Sequence, residues 1–247
     1  PDDEEAIGNK PTEASHGTFV TSLIRQLAPE ISVSFARATT VPIAEIVGRN
    51  EDLPPGVSYV STELHVAAAL VRLAQRDLPD NATVPSLNLS LGTYTCDPGS
   101  DPLLLATNAG LDIWAAAHPE SLVFAAGGNE LNQTPFWPGA LTSVDAVAAV
   151  DTNGDQVVWA EDAATGAVIP HPGGGRPWIN DTAPGCDLLG LRGGTDQNGA
   201  TVVAWSGSSF ATAVASALHA REPLAIPPPK SYTYADSGVT YDDLGSC

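Results

Sequence analysis

The sequence predicts an α/β fold: a three-layer sandwich with a mainly parallel central sheet and helices on both faces. Helical and extended patterns alternate along the 247 residues, and this order implies parallel strands joined by right-handed helical crossovers. The chain is 43% hydrophobic, and at this length it can bury one sizeable core. We therefore expect one folded unit.

The first two helices are predicted from apolar side chains at helical spacing in residues 15–29 and 62–79. Their predicted apolar faces consist of Phe19, Val20, Leu23, Ile24 and Leu27 in the first segment, and Leu64, Ala67, Ala68, Val71 and Ala74 in the second. A third helix is predicted over residues 100–120, with Ser100 as its cap and Pro102 in its first turn. The last helix follows the hydroxyl residues of SGSSFATAVASAL, residues 206–218.

Strand-like runs separate these helices. Residues 31–38 alternate between apolar and polar side chains, residues 84–92 form a short run, and residues 121–128 read as a buried strand ended by glycines. Two further runs flank Asn153-Gly154, which is a hairpin signal. The same letters resemble part of a calcium loop, but the required glycine and glutamate are elsewhere, so a turn is predicted.

Charge and composition exclude several classes of protein. Ten Lys and Arg against 29 Asp and Glu give a formal net charge of -19, which repels phosphate backbones and anionic lipid surfaces. No apolar run approaches the roughly 20 residues of a membrane helix. The three cysteines fit neither a zinc-site spacing nor a CxxC pair. We expect no nucleic-acid partner, no membrane segment in this chain and no metal ligands.

Three residues with side chains suited to catalysis lie at the ends of predicted helices and strands. His16 opens the first helix, Asn129 follows the strand of residues 121–128, and Ser209 opens the last helix. In open α/β sheets such ends meet at one edge, where binding sites form. Each residue also has a structural explanation by itself: a helix-start histidine, a Gly-Asn turn and a hydroxyl cap.

Together, these segments resemble the subtilisin-like serine proteases (subtilases, peptidase S8). SHGTFVTSLI is similar to their histidine motif, VFAAGGNE to their oxyanion segment, and SGSSFATAVASAL to their nucleophile motif. SLNLSLG resembles the substrate-binding strand, FWPGALTSVDAVAAVD the segment after the oxyanion loop, and WINDTAPGCDLL the stretch before the serine. The resemblance covers about residues 15–220, and it implies a subtilisin-like fold.

The resemblance also implies roles for individual residues. Ser209 would attack the scissile carbonyl, His16 would act as general base and then general acid, and the Asn129 amide would bind the oxyanion with the Ser209 N–H. The backbone of Ser90, Leu91 and Gly92 would pair with an extended peptide as an added strand. The wall of the S1 pocket would consist of Ala125, Ala126, Gly127 and Gly128.

The chain departs from the family pattern at its beginning. Subtilases carry an Asp, at the end of an apolar strand, upstream of the His. Only fifteen residues precede His16, and the acids nearest the start, Asp2 and Asp3, lie in a polar segment. We expect residues 1–220 to be a peptidase domain whose first strand and Asp lie upstream, and residues 221–247 to be a Pro-rich tail or linker. As given, the chain would be a poor enzyme.

Two functions stay open: a serine endopeptidase acting on polypeptides, and an inactive subtilase-like module that binds peptides or partners in the same cleft. A propeptide or N-terminal segment would complete the fold.

No cofactor is expected, and a structural calcium site is not readable from the sequence. We expect a secreted or extracellular protein. The cysteine count leaves open one disulfide with a spare thiol or three free thiols. The resemblance places Cys96 and Cys186 beside the cleft, which implies a bridge between them with Cys247 unpaired. Phe136 or Trp137 would shape S1 or belong to the core, and P1 would be apolar or small.

Overall fold

A computed structural model describes residues 13–42, 59–61, 63–79, 82–94, 102–131, 134–161, 168–172, 176–192 and 201–221. The helices of these residues are α1 (Glu13–Leu27), α2 (Glu63–Ala74), α3 (Pro102–Ala117) and α4 (Ser208–Arg221). The strands are β1 (Thr39–Pro42), β2 (Tyr59–Ser61), β3 (Ser86–Leu89), β4 (Thr93–Tyr94), β5 (Leu122–Ala126), β6 (Phe136–Trp137), β7 (Asp145–Val150), β8 (Val157–Glu161), β9 (Val168–Pro172), β10 (Asp181–Pro184), β11 (Leu188–Leu191) and β12 (Val202–Trp205).

The centre of the fold is a parallel sheet in the order β10, β7, β5, β3. Its registers pair Leu89 with Ala125 and Ala126 with Val147, so the carboxyl ends of β3 and β5 lie at one edge. Short antiparallel pairs surround this sheet, including β4 with β6 and β11 with β12. The predicted fold class is confirmed.

Two apolar clusters lie on opposite faces of the sheet, because successive side chains of a strand point to opposite sides. Phe124 of β5 belongs to the cluster that packs beneath α1 and α4, through Phe19 and Phe210. The next residue, Ala125, belongs to the cluster beneath α2 and α3, with Leu70. These two clusters account for the three layers that the alternating sequence predicted.

Helix α4 packs against the sheet, and most of its buried side chains are small. Ala211 and Ala213 have no exposed surface. The polar side of β3 meets the same helix, since the Ser86 hydroxyl donates to the Ser216 carbonyl at 3.1 Å and the Ser216 hydroxyl donates to Asn88 Oδ1 at 3.2 Å. These contacts place the second half of α4 along β3.

Three details of the sequence prediction were wrong or incomplete. Helix α2 forms where expected, but Leu64 is 67% exposed and Val66 is 5% exposed, so the buried face is rotated from the predicted one. Residues 31–38 do not form a strand, because no strand ladder joins them to another described segment. The Asn153-Gly154 turn is present, with Gly154 at φ +86°, but only one bridge, Val150 to Gln156, follows it and β8 pairs instead with β9.

The last described residue, Arg221, makes buried contacts with the end of α1 and the loop after it. Arg221 closes α4, lies 3.0 Å from a Glu30 carboxylate oxygen and donates to the Leu27 carbonyl at 2.9 Å. The predicted tail therefore begins at a residue that anchors α4 to α1, and residues 222–247 lie outside the described ranges. Cys186 is disulfide-bonded, whereas Cys96 and Cys247 lie outside those ranges. None of the described helices is long and apolar enough to cross a membrane.

Candidate active site

Ser209 lies in the first turn of α4, half-buried, directly after a glycine-led turn. The Gly207 carbonyl accepts hydrogen bonds from the N–H groups of Phe210 at 3.1 Å and Ala211 at 3.2 Å, so this carbonyl begins the helix. Gly207 has φ +154°, a conformation that favours glycine. The backbone N–H of Ser209 has no acceptor among the described residues. It is thus an open donor at a helix N-terminus, where the dipole favours negative charge.

The Asn129 side chain reaches the same turn from the end of β5. Its Oδ1 accepts a hydrogen bond from the Ser208 backbone N–H at 2.7 Å. A Cβ built on Gly207 would lie 3.4 Å from Asn129 Nδ2, so glycine keeps the space beside the amide open. Asn129 is exposed, and its Nδ2 donates to none of the described residues. The arrangement supplies two adjacent donors, Asn129 Nδ2 and the Ser209 N–H.

Ser90, just after β3, is tied to Ser209 in both directions. The Ser90 hydroxyl donates to the Ser209 carbonyl at 2.6 Å, and the Ser209 hydroxyl points to the Ser90 carbonyl at 3.4 Å. Asn88 Nδ2 donates to the Ser90 hydroxyl at 2.9 Å. This polar chain connects the predicted substrate strand to the predicted nucleophile.

His16 is held by aromatic rings. Its imidazole centroid lies 5.6 Å from Trp205 in an edge-on arrangement and 5.4 Å from Phe210. Burial lowers the pKa of His16 from 6.5 to about 4, so the ring is neutral at neutral pH. Within the described part of the chain, no hydrogen bond joins His16 to Ser209 or to a carboxylate. The candidate acids Asp2 and Asp3 lie outside the described residues.

The predicted S1 wall and the predicted substrate strand both approach Phe136. Ala125 and Ala126 are buried in β5, and Gly127 and Gly128 continue that strand into the loop. A Cβ on Gly92 would collide with the Phe136 ring, and a Cβ on Gly128 would lie 3.1 Å from Phe136 Cβ. The Phe136 ring also packs against that of Tyr94 in a tilted arrangement, with ring centroids 4.6 Å apart. Of the two aromatic candidates, Phe136 is the one whose side chain lies next to both Gly92 and Gly128.

Three side chains that support the predicted oxyanion segment were not found by sequence reasoning. Arg176 and Trp178 donate to the carbonyl of Gly127, and Tyr94 accepts from the N–H of Glu130. The sequence did offer one signal, GGGRPWIN, in which an arginine lies two residues before a tryptophan in a segment with few charges. Sequence alone does not say which loop such a pair contacts.

Other polar groups lie away from this edge. A cavity of about 450 Å³ is lined by Asp145, Asp181 and His219 at the amino-terminal ends of β7 and β10. Burial, and next the Asp181 carboxylate, raise the pKa of Asp145. Within the described ranges no group of three His, Cys, Asp or Glu side chains could hold a metal ion.

The layered parallel sheet, with a serine at a glycine-led helix start and an asparagine amide beside it, defines the class of subtilisin-like α/β folds. The family model of the subtilase family, peptidase S8, matches residues 1–224. The chain belongs to the subtilase family, and the predicted membership is confirmed. This membership supports a peptidase. No curated protein matches the sequence.

Solved structures with a similar fold are proteases. A lanthipeptide protease has a TM-score of 0.57 and 15% identity, with 90% of this chain and 66% of that chain covered. Sphericase has a TM-score of 0.49 and 20% identity, with 90% and 67% covered. The prenylagaramide maturation protease PagA has a TM-score of 0.46 and 23% identity, with 70% and 55% covered. The chain thus spans little more than half the length of PagA.

Proposed function

We propose that the chain is the main part of a serine endopeptidase in which Ser209 is the nucleophile, His16 the general base and Asn129 an oxyanion donor. The observation that carries this proposal is the hydrogen bond from the Ser208 N–H to Asn129 Oδ1, at 2.7 Å. Because Oδ1 is the acceptor, Nδ2 keeps both of its hydrogens for a ligand. A second donor, the Ser209 N–H, follows directly in the chain.

The proposed reaction is acyl transfer. Ser209 Oγ attacks the carbonyl carbon of the scissile bond while His16 takes the hydroxyl proton, and Asn129 Nδ2 and the Ser209 N–H bind the oxyanion. Collapse of the tetrahedral intermediate breaks the C–N bond, and His16 returns the proton to the leaving amine. Water then attacks the acyl-enzyme by the same route and releases the acid.

An acid from upstream of Pro1 would complete this machinery. A carboxylate beside His16 would raise the pKa of the imidazole from about 4 towards the working pH and set its orientation. In subtilisin, loss of the Asp alone lowers kcat by about 3 × 10⁴. We propose a comparable handicap for the 247-residue chain, and low activity follows.

Phe136 supports a small or apolar P1 side chain. Its ring lies between the segment at Gly92 and the wall at Gly128, where a P1 side chain would enter. We also propose an oxidising, extracellular location, which the disulfide at Cys186 supports.

The deciding experiment is labelling of the chain with an alkyl fluorophosphonate, which forms an Oγ–P bond and releases fluoride. We expect slow, stoichiometric labelling at Ser209, none in Ser209→Ala, and normal labelling in Ser143→Ala. Ser143 is a matched control because it lies in the turn before β7, at the opposite edge of the sheet. Fusion of the natural upstream residues should accelerate labelling and produce peptide cleavage.

One observation favours a second function. His16 and Ser209 share no hydrogen bond in the described part of the chain, which fits a module that binds peptides along Ser90 to Gly92 without cleaving them. Such a module would bind an extended peptide and leave Ser209 unlabelled, even with the upstream residues present.

A further inference from the structure

Buried donors hold the two glycine carbonyls that precede Asn129. Arg176 Nη1 lies 3.0 Å from the Gly127 carbonyl oxygen and 2.8 Å from that of Gly128. Trp178 Nε1 lies 3.1 Å from the Gly127 oxygen. Arg176 is 6% exposed and Trp178 is 9% exposed, so water hardly competes for these carbonyls.

Tyr94 holds the following residue from another element, β4. The Tyr94 hydroxyl oxygen accepts a hydrogen bond from the Glu130 N–H at 2.8 Å. A Cβ built on Gly128 would lie 2.6 Å from that oxygen, and Gly128 has φ +94°. The backbone at Gly128 therefore fits against the phenol only as glycine, in a conformation that other residues rarely adopt.

Two further backbone contacts of this segment come from strands β7 and β8. The Gly127 N–H donates to the Val147 carbonyl at 2.9 Å, and the Asn129 carbonyl accepts from the Trp159 N–H at 2.7 Å. Between these anchors lies the peptide plane that joins Gly128 to Asn129. Its carbonyl is bound by Arg176. Because a peptide is planar, fixing this carbonyl also fixes the opposite N–H and the direction in which Asn129 continues.

We propose that Arg176 is a positioning residue for the oxyanion amide of Asn129, acting through the carbonyls of Gly127 and Gly128, with Trp178 as its partner. The inference rests on the proposed function. One guanidinium nitrogen binds two successive carbonyls, so it locks two peptide planes against each other. Without it, the Gly127–Gly128 segment could rotate, and Asn129 Nδ2 would leave the position in which it binds the oxyanion.

Geometry, more than charge, is the property that this position needs. Burial lowers the pKa of Arg176, but the ordinary pKa of a guanidinium is so high that the group stays protonated at neutral pH. A lysine would keep the charge, but its ammonium ends a flexible stem and its N–H groups rotate, whereas the planar guanidinium holds the two N–H groups of Nη1 in fixed directions. The two substitutions Arg176→Met and Arg176→Lys separate these effects, and Trp178→Phe removes one donor while keeping a ring.

The test measures fluorophosphonate labelling of Ser209 in the 247-residue chain, separated into the limiting rate and the half-saturating concentration. Arg25→Met is the matched arginine control, because Arg25 also donates to a backbone carbonyl, that of Ile31 at 2.8 Å, outside the site. Trp114→Phe is the matched control for Trp178, since Trp114 is a buried tryptophan of the cluster beneath α2 and α3. Amide hydrogen exchange at Asn129 and Glu130 is measured on the same variants.

Arg176→Met should lower the limiting labelling rate by about tenfold to a hundredfold, with little change in half-saturating concentration, because misplacement of an oxyanion donor affects the transition state. Arg176→Lys should label faster than Arg176→Met but more slowly than the wild type. Trp178→Phe should lower the limiting labelling rate less than Arg176→Met does. Exchange at Asn129 and Glu130 should accelerate in Arg176→Met. Both control variants should behave as the wild type.

Unchanged labelling in a folded Arg176→Met chain would overturn the inference, as would a loss of equal size in Arg25→Met. If the wild-type chain is not labelled at all, the proposed function is wrong. The positioning role of Arg176 is then tested by amide hydrogen exchange alone. Faster exchange at Asn129 and Glu130 in Arg176→Met alone would support the positioning role, and equal exchange in all variants would refute it.

Discussion

Asn129 Oδ1 accepts a hydrogen bond from the Ser208 backbone N–H at 2.7 Å, which joins the end of β5 to the first turn of α4. The amide therefore has two separate roles. Its oxygen secures the helix start as a cap would, and its nitrogen is left to bind a ligand.

Asn129→Asp separates these two roles. The carboxylate keeps the acceptor for the Ser208 N–H and is favoured at a helix N-terminus, so the melting temperature should be unchanged or slightly higher. The Nδ2 donor is replaced by a negative oxygen, and fluorophosphonate labelling should fall at least about a hundredfold. Asn129→Ala should lose both labelling and stability. Wild-type labelling in Asn129→Asp would exclude the amide as an oxyanion donor.

His16 should make the folded state less stable in acid. Its pKa is about 4 when folded and 6.5 when unfolded, so the unfolded chain binds the extra proton between these values. Stability should fall as pH drops from 6.5 to 4, by about 3 kcal/mol if the whole shift is realised. Urea unfolding of the wild type and His16→Gln at pH 7.5 and pH 4.5 measures this. A loss of the same size in His16→Gln would mean that another group is responsible.

Phe136→Ala should widen the predicted S1 pocket. Its ring lies next to Gly92 of the substrate strand and Gly128 of the predicted wall, so its removal leaves space for larger P1 side chains. In cleavage profiling of the chain with its upstream residues, we expect small or apolar P1 side chains for the wild type and a shift towards Phe or Leu for the variant. A dominant P1 Arg or Lys in the wild type would contradict the prediction. Trp114→Phe, a change at a buried aromatic residue beneath α2 and α3, should leave the profile unchanged.

The disulfide at Cys186 should stabilise the loop before the nucleophile. Gly185 next to it accepts a hydrogen bond from the Gly207 N–H at 2.8 Å, so the cysteine adjoins the glycine-led turn. Cys186→Ser should lower the free energy of unfolding by about 2–4 kcal/mol. Non-reducing peptide mapping should identify Cys96 as the partner. Free Cys96 alongside a bonded Cys186 would disprove that pairing, and the same loss of stability in Cys247→Ser would point to the other cysteine.

Much of the fold follows from local sequence. The helix-strand alternation predicted the layered sheet, and the small residues after Ser209 predicted a closely packed helix, because spacing and side-chain size are properties of a single segment. The predicted convergence at one sheet edge agrees with the contacts of Ser90, Asn129 and the start of α4. Strand polarity alone requires it, since the carboxyl ends of parallel strands lie together.

Only the tertiary structure decided which contacts these segments make. The apolar residues of α2 allow more than one face of the helix to be buried. Packing against α3 buries Val66 and leaves Leu64 exposed. Residues 31–38 have a strand pattern, but a strand also needs a partner for its hydrogen bonds. Arg176 reaches Gly127 and Gly128 across 49 and 48 positions of the chain. Such contacts depend on how distant segments meet in space, and no local pattern of residues encodes that.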